Sequence, residues 1–209
     1  MADYTFFHNP MSRAAIARWA LEEAGVDYET VLVDWQDKPK ELLDANPMGK
    51  LPTIIHHHNG HDHVVTEAAA VCHYVAEQHA PQLLAKSEEM ADYFRWLFFA
   101  AGPVEQAVTA KSMGWDVPED KQGMAGFGSY DRAVDALDSW LQSHDYVCGD
   151  RFTMADVYVG SQVIWGLMFG ALPERDSFKV YRDRCEAREG RKAARAIDDK
   201  MIAEMQGNG

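Results

Sequence analysis

Cysteine is scarce in this chain, long apolar runs are missing, and basic charge is outweighed. There are three cysteines, Cys72, Cys148 and Cys185. An odd, widely spaced set builds neither a disulfide framework nor a CxxC redox pair, and points to a reducing, cytoplasmic setting. No apolar stretch approaches the ~20 residues of a membrane-spanning helix. The opening MADYTFFHNP has no basic flank or cleavage site, so no signal peptide is expected. Lysine and arginine number 20 against 33 acidic residues, a formal net charge of −13. That balance argues against nucleic acid and anionic membrane as partners. Arg188, Arg191, Lys192 and Arg195 form a basic cluster, read as the solvated face of the last helix.

The 209 residues suffice for one large domain or two small ones. Residues 3–7 read as a strand broken by Asn9-Pro10. Ala17, Ala20, Leu21 and Ala24 then form a helical stripe that Gly25 ends. Residues 26–33 read as a second strand and 38–45 as a short helix stopped by Asn46-Pro47. A hairpin over 53–65 turns at Asn59-Gly60, a strong two-residue turn signal. A helix follows over about 67–78. This order, βαβ, short α, ββ, α, gives a small mixed sheet. After a linker near His79-Ala80-Pro81-Gln82 strand signals nearly vanish. Helical stripes run through Met90, Phe94, Leu97, Phe98 and Ala101, then Tyr130, Val134, Leu137 and Leu141, then Gly160, Val163, Ile164 and Leu167. Pro103 should kink or end its helix, and 115–127 should contain a loop. Thr153 and Asp156 read as a capping box, with Phe152 able to staple onto Val157 and Asp156 worth on the order of 1 kcal/mol.

Asn46 to Glu77 is the most informative segment. Pro52 stands at a strand entrance, where its missing N–H is tolerated. If its peptide bond is cis, Leu51 presents backbone donor and acceptor to a guest peptide. Glu67 opens a helix, where N–H groups and the helix dipole favour an ionic ligand. Lys50-Leu51-Pro52, then Glu67-Ala68-Ala69-Ala70-Val71 with Tyr74, resembles the glutathione-binding half of the cytosolic glutathione transferases, and the chain looks like a serine-type, bacterial-like member. The resemblance implies an α+β thioredoxin-like domain over 1–79, a linker over 80–86, and an all-α domain over 87–209 that contributes the electrophile pocket. It implies conjugation of glutathione, as co-substrate, to small hydrophobic electrophiles in detoxification, by a homodimer. A glutathione-dependent peroxidase or reductase, and a binding protein without turnover, are the alternatives.

The central chemical task is then to make a thiol into a thiolate, the nucleophilic form. Lowering a thiol pKa from ~8.5 to ~6.5 takes about 2.7 kcal/mol. The family's tyrosine position falls on Phe7, which has no hydroxyl, and its cysteine position on or beside Arg13. Ser12 is within one residue of the serine position and is the candidate donor, with Arg13 a candidate cation beside it. Serine is also a favoured helix N-cap, so capping stands beside catalysis as the reading of Ser12; Asn9 is an alternative donor. The resemblance assigns Leu51 to backbone pairing with the cysteinyl unit, Glu67 to the γ-glutamyl ammonium, Lys50 to the glycine carboxylate, and Pro52 to the loop. The family usually has serine where this chain has Ala68, which leaves only a backbone N–H for the γ-glutamyl carboxylate.

Among the aromatics, Trp96, Phe99 and Trp165 are candidates for the electrophile pocket, as are Trp115 and Phe169, against the commoner reading of a helical core. His56, His57, His58, His61 and His63 are read as exposed hairpin residues, with His58 and His61 able to face each other across the turn. No metal is expected.

Overall fold

The computed structural model describes residues 2–207. Two compact units emerge: residues through Pro81 together with those from Ala187 onward, and Gln82–Glu186.

In the first unit, β1 (Tyr4–His8) leads through a turn to α1 (Ala14–Ala24), which ends at Gly25 in the left-handed conformation. β2 (Tyr28–Leu32), α2 (Lys40–Ala45), β3 (Thr53–His58), β4 (His61–Thr66) and α3 (Ala68–His79) follow. The sheet order is β2-β1-β3-β4, with β1 and β2 parallel and the other pairs antiparallel. Asn59 and Gly60 both carry positive φ, as a type I′ turn requires. Tyr4, Phe6 and Ile54 pack with Ala17 and Leu21 of α1 and Val71 and Val75 of α3 in one buried cluster. Phe7, at the tyrosine position, faces Val33 and Leu42 in another.

The last helix, α9 (Glu189–Gly207), belongs to this unit and packs on α1. The sequence reading assigned 87–209 to one helical domain and treated the basic cluster as solvated. Half of that cluster faces α1 instead. Arg188 pairs with Glu23 at 2.8 Å, and the buried Arg191 guanidinium lies 5.5 Å from the Trp19 ring centroid. Lys192 and Arg195 pair on the exposed side with Glu189 and Asp199. At Gly190 a Cβ would meet the Glu23 backbone nitrogen at 2.9 Å, so only glycine lets the helices approach this closely.

The second unit is helical: α4 (Met90–Phe99), α5 (Glu105–Ser112), α6 (Tyr130–Leu141), α7 (Met154–Met168) and α8 (Asp176–Glu186). A π-helical turn over Ala100–Val104, holding Pro103, joins α4 to α5. A widened turn absorbs the missing N–H without ending the helical path. α7 is buried along most of its length. Its capping box is formed, but Asp156 does more than cap. The buried carboxylate accepts the Thr153 N–H at 2.8 Å, the Val147 N–H at 2.9 Å and the Tyr181 hydroxyl at 2.8 Å. It therefore ties three segments together. Arg151 does similar work at the surface, reaching Glu89 and the carbonyls of Gln82 and Leu84.

Candidate functional site

Register decides which loops meet. Phe7 of β1 pairs with Thr53 of β3, and Thr53 pairs with Thr66 of β4. The chain leaving β1 toward Ser12, the loop entering β3 through Leu51 and Pro52, and the exit from β4 at Glu67 therefore lie at one end of the sheet. Three segments singled out separately in the sequence are adjacent by construction.

The first is the turn Asn9–Arg13. Asn9 is buried and spans two strands: its Nδ2 donates to the Val33 carbonyl at 3.0 Å, and its Oδ1 accepts the Met11 N–H at 3.0 Å. Ser12 is half-buried; its hydroxyl donates to the Asn9 carbonyl at 2.7 Å and accepts the Ala14 N–H at 3.1 Å. Ser12 thus serves one backbone N–H of the first turn, while the N-cap position of α1 is Arg13. Arg13 stands exposed at the helix entrance.

The second segment is the loop into β3. The Leu51–Pro52 bond is cis. Leu51 is half-buried, Pro52 buried and Lys50 exposed. Asn46 organises the loop from inside. Its Nδ2 donates to the Lys50 carbonyl at 3.2 Å and to Thr53 Oγ1 at 3.1 Å, and its Oδ1 accepts the Met48 N–H at 3.2 Å. Thr53 Oγ1 donates to the same Lys50 carbonyl at 2.9 Å, and Lys38 Nζ donates to the Gly49 carbonyl at 2.9 Å. From the sequence alone Asn46 reads only as a helix stop. The available signal was that asparagine before such a loop can mimic a turn with its own side chain.

The third segment is Glu67-Ala68. Glu67 has φ +64° and ψ +116°, which side chains with a Cβ rarely adopt, at a cost of order 1–3 kcal/mol. Its side chain makes no capping hydrogen bond to α3 and is exposed. Ala68 is buried at the first turn, where helical N–H groups have no partner within the helix. Glu67 is thus an exposed acid in a strained backbone conformation at a helix start, and it is not used as a cap.

Residues 2–77 match the glutathione S-transferase N-terminal domain and residues 102–189 its C-terminal domain. The chain belongs to the glutathione S-transferase family. It is 28% identical over 172 residues to glutathione S-transferase 1 of Schizosaccharomyces pombe, covering 75% of this chain and 73% of that protein. It is 26% identical over 166 residues to glutathione S-transferase GstA of Escherichia coli O157:H7, covering 76% and 80%. Among solved structures, the glutathione transferase URE2P5 of Phanerochaete chrysosporium superposes with TM-score 0.77 at 21% identity over 99% of both chains. A family member from Pseudomonas fluorescens with two glutathione bound gives 0.74 at 22%, over 91% of both. These superpositions establish the transferase fold: a four-stranded mixed sheet with helices, then an all-helical part.

The electrophile-pocket candidates separate in the second unit. Trp96 is 1% exposed and packs against Trp140 and Phe99, with ring centroids 5.2 Å away in each case. It is part of the core. Phe99 and Trp165 are half-buried. An open hollow of this unit is lined by Ala101, Glu105, Thr109, Trp115 and Phe127. Cys72 and Cys148 are unsuited to thiolate chemistry, since burial raises the Cys72 thiol far above its usual range and the Cys148 thiol to about 12. No helix among the described residues is long and apolar enough to cross a membrane.

Proposed function

We propose that this chain transfers the thiolate of glutathione to small hydrophobic electrophiles. The observation that carries the reading is the common register of Phe7, Thr53 and Thr66, which brings Ser12, Leu51 and Glu67 to one end of the sheet. Glu67 takes the γ-glutamyl ammonium and the Ala68 N–H the adjoining carboxylate. The Leu51 backbone pairs with the cysteinyl unit, in the manner of an added strand. Pro52 shapes that loop and Lys50 meets the glycine carboxylate. The sulfur then lies at the entrance of α1, with the Ser12 hydroxyl as donor and Arg13 as the nearby cation. To serve the thiolate, Ser12 exchanges the Asn9 carbonyl for sulfur as its acceptor. A charge-assisted hydrogen bond with the helix dipole behind it is of the size the thiol shift needs.

Phe99 and Trp165, both half-buried in the helical unit, are the aromatic candidates for contact with the electrophile. The α4 stripe of Met90, Phe94 and Phe98, with Met90 and Phe98 exposed, supports the homodimer. Three cysteines outside any disulfide and the net negative charge support a cytoplasmic detoxification role without nucleic-acid or membrane partners.

A second reading has one observation in its favour: the Ser12 hydroxyl already serves Asn9 and Ala14, as it would in a binding protein without turnover. Assaying glutathione with an aryl halide and, separately, with a hydroperoxide decides among the readings. Conjugation of the halide is the expected result. Peroxide reduction alone selects the peroxidase, and binding without either reaction selects the binding protein.

A further inference from the structure

The hairpin histidines read differently once their pairing is known. His56 is paired with His63 and His58 with His61. Directly opposed residues share a face, and so do residues two apart on one strand. All four imidazoles therefore stand on one face of β3–β4, as two cross-strand ranks. The intervening pair, His57 and Asp62, occupies the opposite face and is joined there, Nδ1 to Oδ1, at 2.7 Å.

Within this array His56 is the inner member. It is buried, stacked on Tyr4 with centroids 4.4 Å apart, and hydrogen-bonded through Nδ1 to the Tyr74 hydroxyl at 2.9 Å. Its ring lies 5.2 Å from that of His58, 6.4 Å from that of His63, and 5.7 Å from that of His79 at the end of α3. His58, His61 and His63 are exposed. Imidazoles gathered this closely repel one another when protonated. Neutral, they offer ring nitrogens as lone-pair donors.

We propose that His58 and His61, with His63 as third ligand, hold one divalent transition-metal ion of the zinc, nickel or copper type at the exposed turn end of that same face of the hairpin. Opposed residues have Cβ atoms ~5 Å apart, and zinc–nitrogen bonds are ~2.0–2.1 Å long. Two rings turning toward each other about their side-chain torsions therefore span one ion. As the rings stand, no three His, Cys, Asp or Glu side chains among the described residues converge on a point. The ion is accordingly bound by rotation of exposed rings, and His58 gives up its contact with the Asn59 side chain. Water fills the remaining positions.

The site sits at the turn end of the hairpin. The Ser12, Leu51 and Glu67 segments lie at the other end, five residues away along β3, roughly 17 Å at the rise of a strand. The ion thus joins the edge strand β4 to β3 and strengthens the hairpin, while the thiol chemistry proceeds without it.

Calorimetric titration with zinc chloride at neutral pH tests this, with thermal unfolding followed in parallel. One ion per chain and a rise in Tm are expected. His58→Asn and His61→Asn should each weaken binding at least ~10-fold and abolish the Tm rise. His57→Asn, on the opposite face, should leave both unchanged. Absence of binding, binding that survives His58→Asn with His61→Asn, or an equal loss in His57→Asn would overturn the proposal.

Discussion

His8 and Asp198 stand 190 positions apart and share a buried hydrogen bond, His8 Nε2–H donating to Asp198 Oδ1 at 2.8 Å. Arg18 completes the group, its Nε 2.7 Å from the same oxygen. Burial keeps His8 below its ordinary pKa, hence neutral, so the charge balance is one carboxylate against one guanidinium. Arg18 also donates to the Tyr28 hydroxyl and lies over the rings of Phe6 and Tyr28. His8 immediately precedes Asn9, whose amide shapes the Ser12 turn. The last helix therefore holds the strand end from which the Ser12 turn begins.

Replacing Asp198 with alanine leaves Arg18 buried and unpaired. Such a break costs about 3–5 kcal/mol. Denaturant unfolding should show a loss of that order, and a loss below about 1 kcal/mol would mean that the Asp198 group does not hold α9.

Asp156→Ala should cost more than the ~1 kcal/mol of an ordinary cap. The Val147 N–H, the Thr153 N–H and the Tyr181 hydroxyl would all lose a buried acceptor. About 3 kcal/mol or more is expected. Asp156→Asn keeps one acceptor oxygen and should fall between alanine and wild type in the same unfolding assay.

Acid stability should report on Glu89. Hydrogen bonding to Arg151 holds its carboxyl at about 2, below the ordinary 4.5. A depressed folded-state pKa contributes stability that is present above the unfolded value and lost as pH falls toward the folded one. Between pH 4.5 and 2, wild type should lose stability more steeply than Glu89→Gln. Parallel curves would show that the ion pair contributes nothing.

Binding and turnover should separate at Glu67 and Ser12. Glu67→Gln removes a charged partner worth about 1.5–3 kcal/mol, so KM for glutathione should rise roughly tenfold or more with kcat little changed. Ser12→Ala should raise the pKa of bound glutathione, read from thiolate absorbance. An unchanged pKa would leave Ser12 a helix-start residue only.

Much of the first unit was legible because its signals are local. Asn59-Gly60 announces the hairpin, Gly25 ends α1, Pro52 marks the entrance of β3 and Glu67 the start of α3. The place of α9 was not legible. It buries Arg191, Ala194 and Asp198 against the first unit, a polar and small set that resembles a solvated face. Asn9 was missed as an organiser because its partner Val33, 24 positions on, is brought close only by folding. Trp96 illustrates the reverse error: aromatic spacing cannot tell a core face from a pocket wall.

The most direct test is a crystal structure of the chain soaked with glutathione. The account predicts the γ-glutamyl ammonium at the Glu67 carboxylate, the cysteinyl unit paired with the Leu51 backbone, and the sulfur beside the Ser12 hydroxyl. Glutathione bound elsewhere, or a sulfur turned away from the start of α1, would contradict it.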